Sequence, residues 1–145
     1  MIVNFLEGDF PDYNNRYLSD IWRYNDVQME KVHDYIQWVF PLDTASKALF
    51  HAPVLIDGEI EDIQESDLAL SNLLKSKTWF IRFLKRTEKW LLDRDHNHKR
   101  IARMIRGLRL LHSDYEANLC LDQIIELSQD KRFANTSILN HWRKC

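Results

Sequence analysis

His33 and Gln37 stand four positions apart, so a helix through them puts an imidazole and an amide on one face. Such a pair on an otherwise apolar helix is either a hydrogen-bonded part of the core or the floor of a polar pocket, because buried polar groups need partners. Trp38, next in the chain, adds a flat apolar surface for stacking. A second polar group starts at His96. His96 and His98, with Asp93 and Asp95 just before them, offer the nitrogen and oxygen donors that divalent metals take. Zinc sites need three or four converging ligands. Asn97 or a neighbour capping a helix, with the histidines lining a loop, is the simpler account, and no metal is expected. Arg100 and Arg103 follow, and a guanidinium can clamp a carboxylate through two parallel hydrogen bonds. The candidate ligand-binding set is therefore His33, Gln37, Trp38, His96, Asn97, Arg100 and Arg103.

Catalytic chemistry finds no support. No nucleophile sits beside a base, and GxSxG, GxGxxG, HExxH and P-loop patterns are all missing. Glu61 and Glu65 share a helical face, but in a crowd of acids that makes them solvated surface. The expectation is a non-enzymatic binding module without a cofactor.

The elements that would position these residues are helical throughout. Glycine and proline number three each, too few for a turn-rich β architecture. Residues 1–15 have the punctuation of an irregular arm (Gly8, Pro11, Asn14, Asn15), which Phe5, Phe10 and Tyr13 would pin to the body. A short helix is predicted over 17–24. Asn25 and Gln28 then form a capping box for a helix running to about Phe40, where Pro41 ends it. A long connection, 41–58, leads to apolar spacing over 59–91 that fits one helix, or two broken near Ser66 or Ser76. After a polar loop, Ile101, Met104, Ile105, Leu108 and Leu111 mark an amphipathic helix. Ser113 and Glu116 cap the next, and a last short helix carries Ile138, Leu139 and Trp142. The fold class is all-α: one domain over 1–145, with six or seven helices and the 1–15 arm packed on it.

Bulk properties agree. The 145 residues, 45% of them apolar, suffice for one cored domain. Two cysteines without a CxxC pair, and no basic or apolar leader at the start, point to a cytoplasmic protein; no apolar run is long enough to span a membrane. The net charge of −2 hides a strong asymmetry. Asp57–Asp67 holds six acids and no base, whereas Arg82–His112 holds ten bases and three acids. Solvated helix faces, perhaps facing each other, explain such runs; nucleic-acid or anion binding through Arg82–Arg109, with Trp79 and Trp90 nearby, is the alternative. Arg100, Arg103, Arg106 and Arg109 advance three at a time, so they spiral round their helix and some must turn inward or pair with acids.

The stretch EKVHDYIQWVFPL at 30–42 resembles the signature of the opioid growth factor receptor conserved domain at Glu30, His33, Asp34, Tyr35, Ile36, Gln37, Trp38, Phe40, Pro41 and Leu42. Ser46, Ala52, Pro53 and Leu55 follow in the family's order. A second block, HNHKRIARMIRGLRLL, is similar at His96, Asn97, Arg100, Ile101, Arg103, Ile105, Leu108 and Leu111. Phe5, Gly8, Asp12, Arg16, Leu18 and Ile21 resemble bacterial members, as do Ser137, Trp142 and Arg143, which implies a stand-alone form. The resemblance implies an all-helical fold and a peptide or protein segment as partner. Family receptors in vertebrates are described as binding the pentapeptide Met-enkephalin.

Overall fold

The computed structural model describes residues 2–47 and 49–145. Nine α-helices and one 3₁₀ turn, Lys89–Leu91, account for the architecture among these residues. They are α1 (Ile2–Glu7), α2 (Leu18–Trp22), α3 (Asp26–Lys31), α4 (Ile36–Val39), α5 (Glu59–Gln64), α6 (Asp67–Arg86), α7 (His96–Leu111), α8 (Asp114–Asp130) and α9 (Thr136–Arg143). The only extended pairing among the described residues is an isolated bridge between Leu42 and Val54. No described helix is long and apolar enough to cross a membrane.

α7 is the central element. It packs against α5, α6, α8 and α9 and buries Ile101, Ala102, Met104, Ile105, Leu108 and Leu111, the apolar stripe expected from the sequence. Gly107 lets α7 close on the segment after α4: a Cβ there would stand 3.2 Å from the Phe40 Cβ. A second aromatic centre forms where α7 meets α9 and the 3₁₀ turn. Trp90, His98, Phe133 and Trp142 pack there with ring centroids 5.7–6.4 Å apart. Carbonyls serve the polar atoms Trp142 Nε1, which donates to His98 O, and His98 Nε2, which contacts Trp90 O at 2.6 Å.

Several boundaries follow the predicted caps. Asn25 and Gln28 form the capping box of α3, Ser113 accepts from Glu116 N at the start of α8, and Ser66 caps α6, which decides in favour of two helices over 59–86. Asp95, rather than Asn97, caps α7. Two expectations are corrected. The 1–15 arm is not irregular throughout: α1 lies within it, with Ile2, Phe5 and Leu6 buried against α6, so apolar packing holds a helix too short to persist alone. Phe5 and Tyr13 meet Trp38 edge-on, whereas Phe10 points to solvent. The helix expected to run from Asn25 to Phe40 breaks at Val32–Tyr35 into α3 and α4. The acidic run stays on the outside; none of its carboxylates pairs with the arginine-rich helix among the described residues.

Trp142 is fully buried and hydrogen-bonded. Trp142→Ala is expected to cost about 3–5 kcal/mol, read as a lowered urea midpoint at an unchanged slope.

Candidate functional site

The break in the signature segment is where the site begins. A helix continued through Val32 would bond the Met29 carbonyl to the amide of residue 33. Here that carbonyl accepts instead from the Tyr35 hydroxyl at 2.6 Å and from Arg100 Nη1 at 2.6 Å. Arg100 Nη2 donates to Val32 O at 2.8 Å, and Nη1 also reaches Tyr35 Oη and Asn97 Oδ1 at 3.2 Å. The guanidinium thus caps α3 from a distant helix. Asp34 ties the same turn to the N-terminal region by accepting from Arg16 Nη1 at 2.7 Å and Asn14 Nδ2 at 2.8 Å. Burial works against the Arg16 charge, but the hydrogen bonds it donates to Asp12, Asp34 and Tyr24 outweigh it and raise the pKa.

Between the start of α7, the α3–α4 turn and residues 42–47 with Leu49 lies a cavity of about 650 Å³, more enclosed than two others on the surface. That volume suits a small ligand or a peptide end. Five cations line it, Lys47, Lys99, Arg100, Arg103 and Arg106, with His33, His96 and His141, and among the described residues no acid does. Ile36, Leu42, Ala102 and Leu49 supply apolar wall. Arg103 spans the cavity wall, donating through Nε to Phe40 O at 2.8 Å and through Nη2 to Gln37 O at 3.4 Å. It has no carboxylate partner among the described residues, and burial pulls its pKa down to about 10, so it stays charged at neutral pH. Gln37 is 6% exposed; its Nε2 donates to His33 O, while its Oε1 is buried without a partner.

The structure therefore brings His33, Gln37, His96, Arg100 and Arg103 together around one cavity. Two members of the expected set are elsewhere. Trp38 is buried between Phe5 and Tyr13, so its face is not free to stack on a ligand. Asn97 is fully buried and donates to the Glu30 carboxylate. Arg100 keeps its place in the wall but not its expected role as a free clamp, since its Nη atoms are committed to protein acceptors. Lys47, Lys99, Arg106 and His141 were missed. Arg106 and Lys99 carried a usable signal, being one turn either side of Arg103; His141 and Lys47 carried none.

The basic run does not form one surface. Arg82 and Arg86 line a separate groove with Trp22, Tyr24 and Trp79, where Arg86 pairs with Asp26, and Arg109 turns to Asp114, Asn118 and the Cys145 carbonyl.

The family model described as "Opioid growth factor receptor (OGFr) conserved region" matches residues 11–89, more than half of the chain. That span contains the first signature block; the block starting at His96 lies beyond it, and the match does not set the chain among bacterial-type forms. Neither a curated protein nor a solved structure matches the chain.

Two outcomes test this geometry. Arg100→Met leaves the Val32 carbonyl and Asn97 Oδ1 without a donor and Met29 O with the Tyr35 hydroxyl alone, each lost donor costing about 1–3 kcal/mol; the expected loss is at least about 2 kcal/mol in urea unfolding, and a change under about 1 kcal/mol would refute the capping role. For His96, burial first and then the Arg100 charge hold the imidazole below its usual 6.5, against Asp95 and Glu30. The unfolded chain then takes up this proton more readily. The His96 contribution is complete above about pH 6.5 and fades as pH falls through 6.5 toward the lower folded value. His96→Gln should flatten the decline in melting temperature below pH 6.5 relative to the parent protein.

Proposed function

The chain belongs to the opioid growth factor receptor conserved-region family, and from that premise we propose that it is a non-enzymatic module that binds a short peptide by an anionic end, its terminal carboxylate, in the cavity between α7 and the α3–α4 turn. The observation that carries this reading is the one-sided charge of the cavity: among the described residues five cations and no acid line it, and Arg103 is partly buried there with no carboxylate partner. A cation partly withdrawn from water is a stronger partner for an incoming carboxylate than a fully exposed one. Arg106, exposed at the rim, and Lys99 add attraction during approach. Gln37 Oε1 supplies an acceptor for a peptide N–H next to the carboxylate, and Ile36, Leu42 and Leu49 suit an apolar terminal side chain. No nucleophile–base pair accompanies these groups.

Nucleic-acid binding through Arg82–Arg109 is the weaker alternative. Its best support is the groove where Trp22, Tyr24 and Trp79 stand beside Lys75 and Arg82, a stacking-plus-cation pattern. Against it, Arg100 and Arg103 are turned inward, and the net charge is −2.

Titration calorimetry with Met-enkephalin and its C-terminal amide tests the peptide reading. The free acid should bind at least about tenfold more tightly than the amide, which corresponds to about 1.4 kcal/mol. Arg103→Ala and Arg106→Ala should each weaken the acid and leave the amide nearly unchanged. Equal affinities for acid and amide, or an acid affinity untouched by both variants, would overturn it. A steeply salt-dependent shift with single-stranded RNA, abolished by Arg82→Ala, would favour the alternative.

A further inference from the structure

We propose that Glu30, Asp95 and His96 form a binding site for a divalent first-row transition ion beside the basic cavity. Glu30 comes from α3, Asp95 caps α7 and His96 opens it. Their ligand atoms lie within 4.8 Å of one another.

The geometry between Glu30 and His96 is the central point. His96 Nε2 stands 3.0 Å from Glu30 Oε1, yet that buried nitrogen has no hydrogen bond, because the oxygen lies off the direction of the ring N–H. A hydrogen-bonded pair at this distance would be in line. Two ligands of one ion are not: at about 2.1 Å from the metal and roughly 90–110° apart, they stand about 3.0–3.4 Å from each other and well off each other's axis. The pair therefore has the spacing of an edge of a coordination polyhedron.

The carboxylate also lacks any other strong partner. Glu30 is 8% exposed, and among the described residues its carboxylate accepts hydrogen bonds from Asn97 Nδ2 alone, at 3.2 and 3.5 Å. A buried carboxylate so thinly served is costly unless a cation joins it. Asp95 is held in place by the helix: Oδ2 accepts from Asn97 N at 3.1 Å, which leaves Oδ1 3.7 Å from His96 Nδ1. From there it can either ligate or orient the ring, and both arrangements are common around metal-bound histidine. Two carboxylates outweigh the single guanidinium of Arg100, so the cluster keeps a surplus of negative charge. His33, whose ring meets that of His96 edge-on at 4.9 Å, is a further donor close by. One imidazole with two carboxylates is an N and O set without thiolate, which suits zinc or manganese. His98 and Asp93, the neighbours that suggest a metal in sequence, take no part: His98 is engaged by Trp90 O.

The inference stands apart from the peptide reading, because the test needs no peptide. The chelator-treated protein is titrated with zinc chloride and, separately, manganese chloride, by calorimetry and by melting temperature. The expected result is one equivalent of at least one of the two ions, with a dissociation constant on the order of micromolar and a raised melting temperature. His96→Gln and Glu30→Gln should each weaken binding at least about tenfold, and His141→Gln, on α9, should leave it intact. His96 is the first residue of its helix and half-exposed, so His96→Gln stays informative even if Glu30→Gln fails to fold. No saturable binding of either ion up to about millimolar, or binding undiminished in His96→Gln, would overturn the site.

Discussion

One guanidinium, that of Arg100, sets the shape of everything around the cavity. It spans from α7 to two carbonyls at the end of α3, 71 and 68 residues earlier in the chain, and shares one of them with the Tyr35 hydroxyl. Because those carbonyls are satisfied from outside, the helix can stop at Lys31 and restart at Ile36. The turn between is what faces His33 toward His96 and places Gln37 in the wall. It also aims Asp34 at Arg16 and Trp38 at the N-terminal aromatics. A lysine could not replace this residue, since its point charge lacks the planar fork that reaches several acceptors at once.

The same dependence explains what was legible in the sequence. Helix starts announce themselves locally: Asn25 with Gln28, Ser66, and Ser113 with Glu116 are short-range hydrogen-bond patterns, and each appears where its residue types suggested. The apolar stripe of α7 was equally plain. The break at Val32–Tyr35 was not, because the donors that stabilise it come from Arg100 and Arg16, outside any local window. The α1 helix was hidden for a related reason: six residues carry little intrinsic helicity, and burial of Phe5 and Leu6 on α6 supplies the rest.

Site residues divide along the same line. His33, Gln37, His96 and Arg103 could be chosen as polar groups recurring on helices that ought to be apolar, and they do meet around one cavity. Trp38 and Asn97 were equally conspicuous in type, yet each is spent on holding neighbouring elements in place. Glu30 sits inside the most recognisable stretch of the chain, but nothing there reveals that its partners, Asn97 and His96, lie 67 and 66 positions away. Residue type shows that a side chain needs a partner; only the fold shows whether the protein itself provides one.

The outer wall of the cavity is built differently from its floor. Arg100 and Arg103 are fixed by carbonyls of the core, whereas Thr44, Ala45, Ser46 and Lys47 belong to a connection tied at its ends by the Leu42–Val54 bridge and the Leu55 N to Leu42 O bond. The outer wall and the floor thus draw on separate stretches of chain. A lineage could therefore exchange the 44–47 segment and reshape the mouth of the cavity without disturbing the cationic floor beneath it.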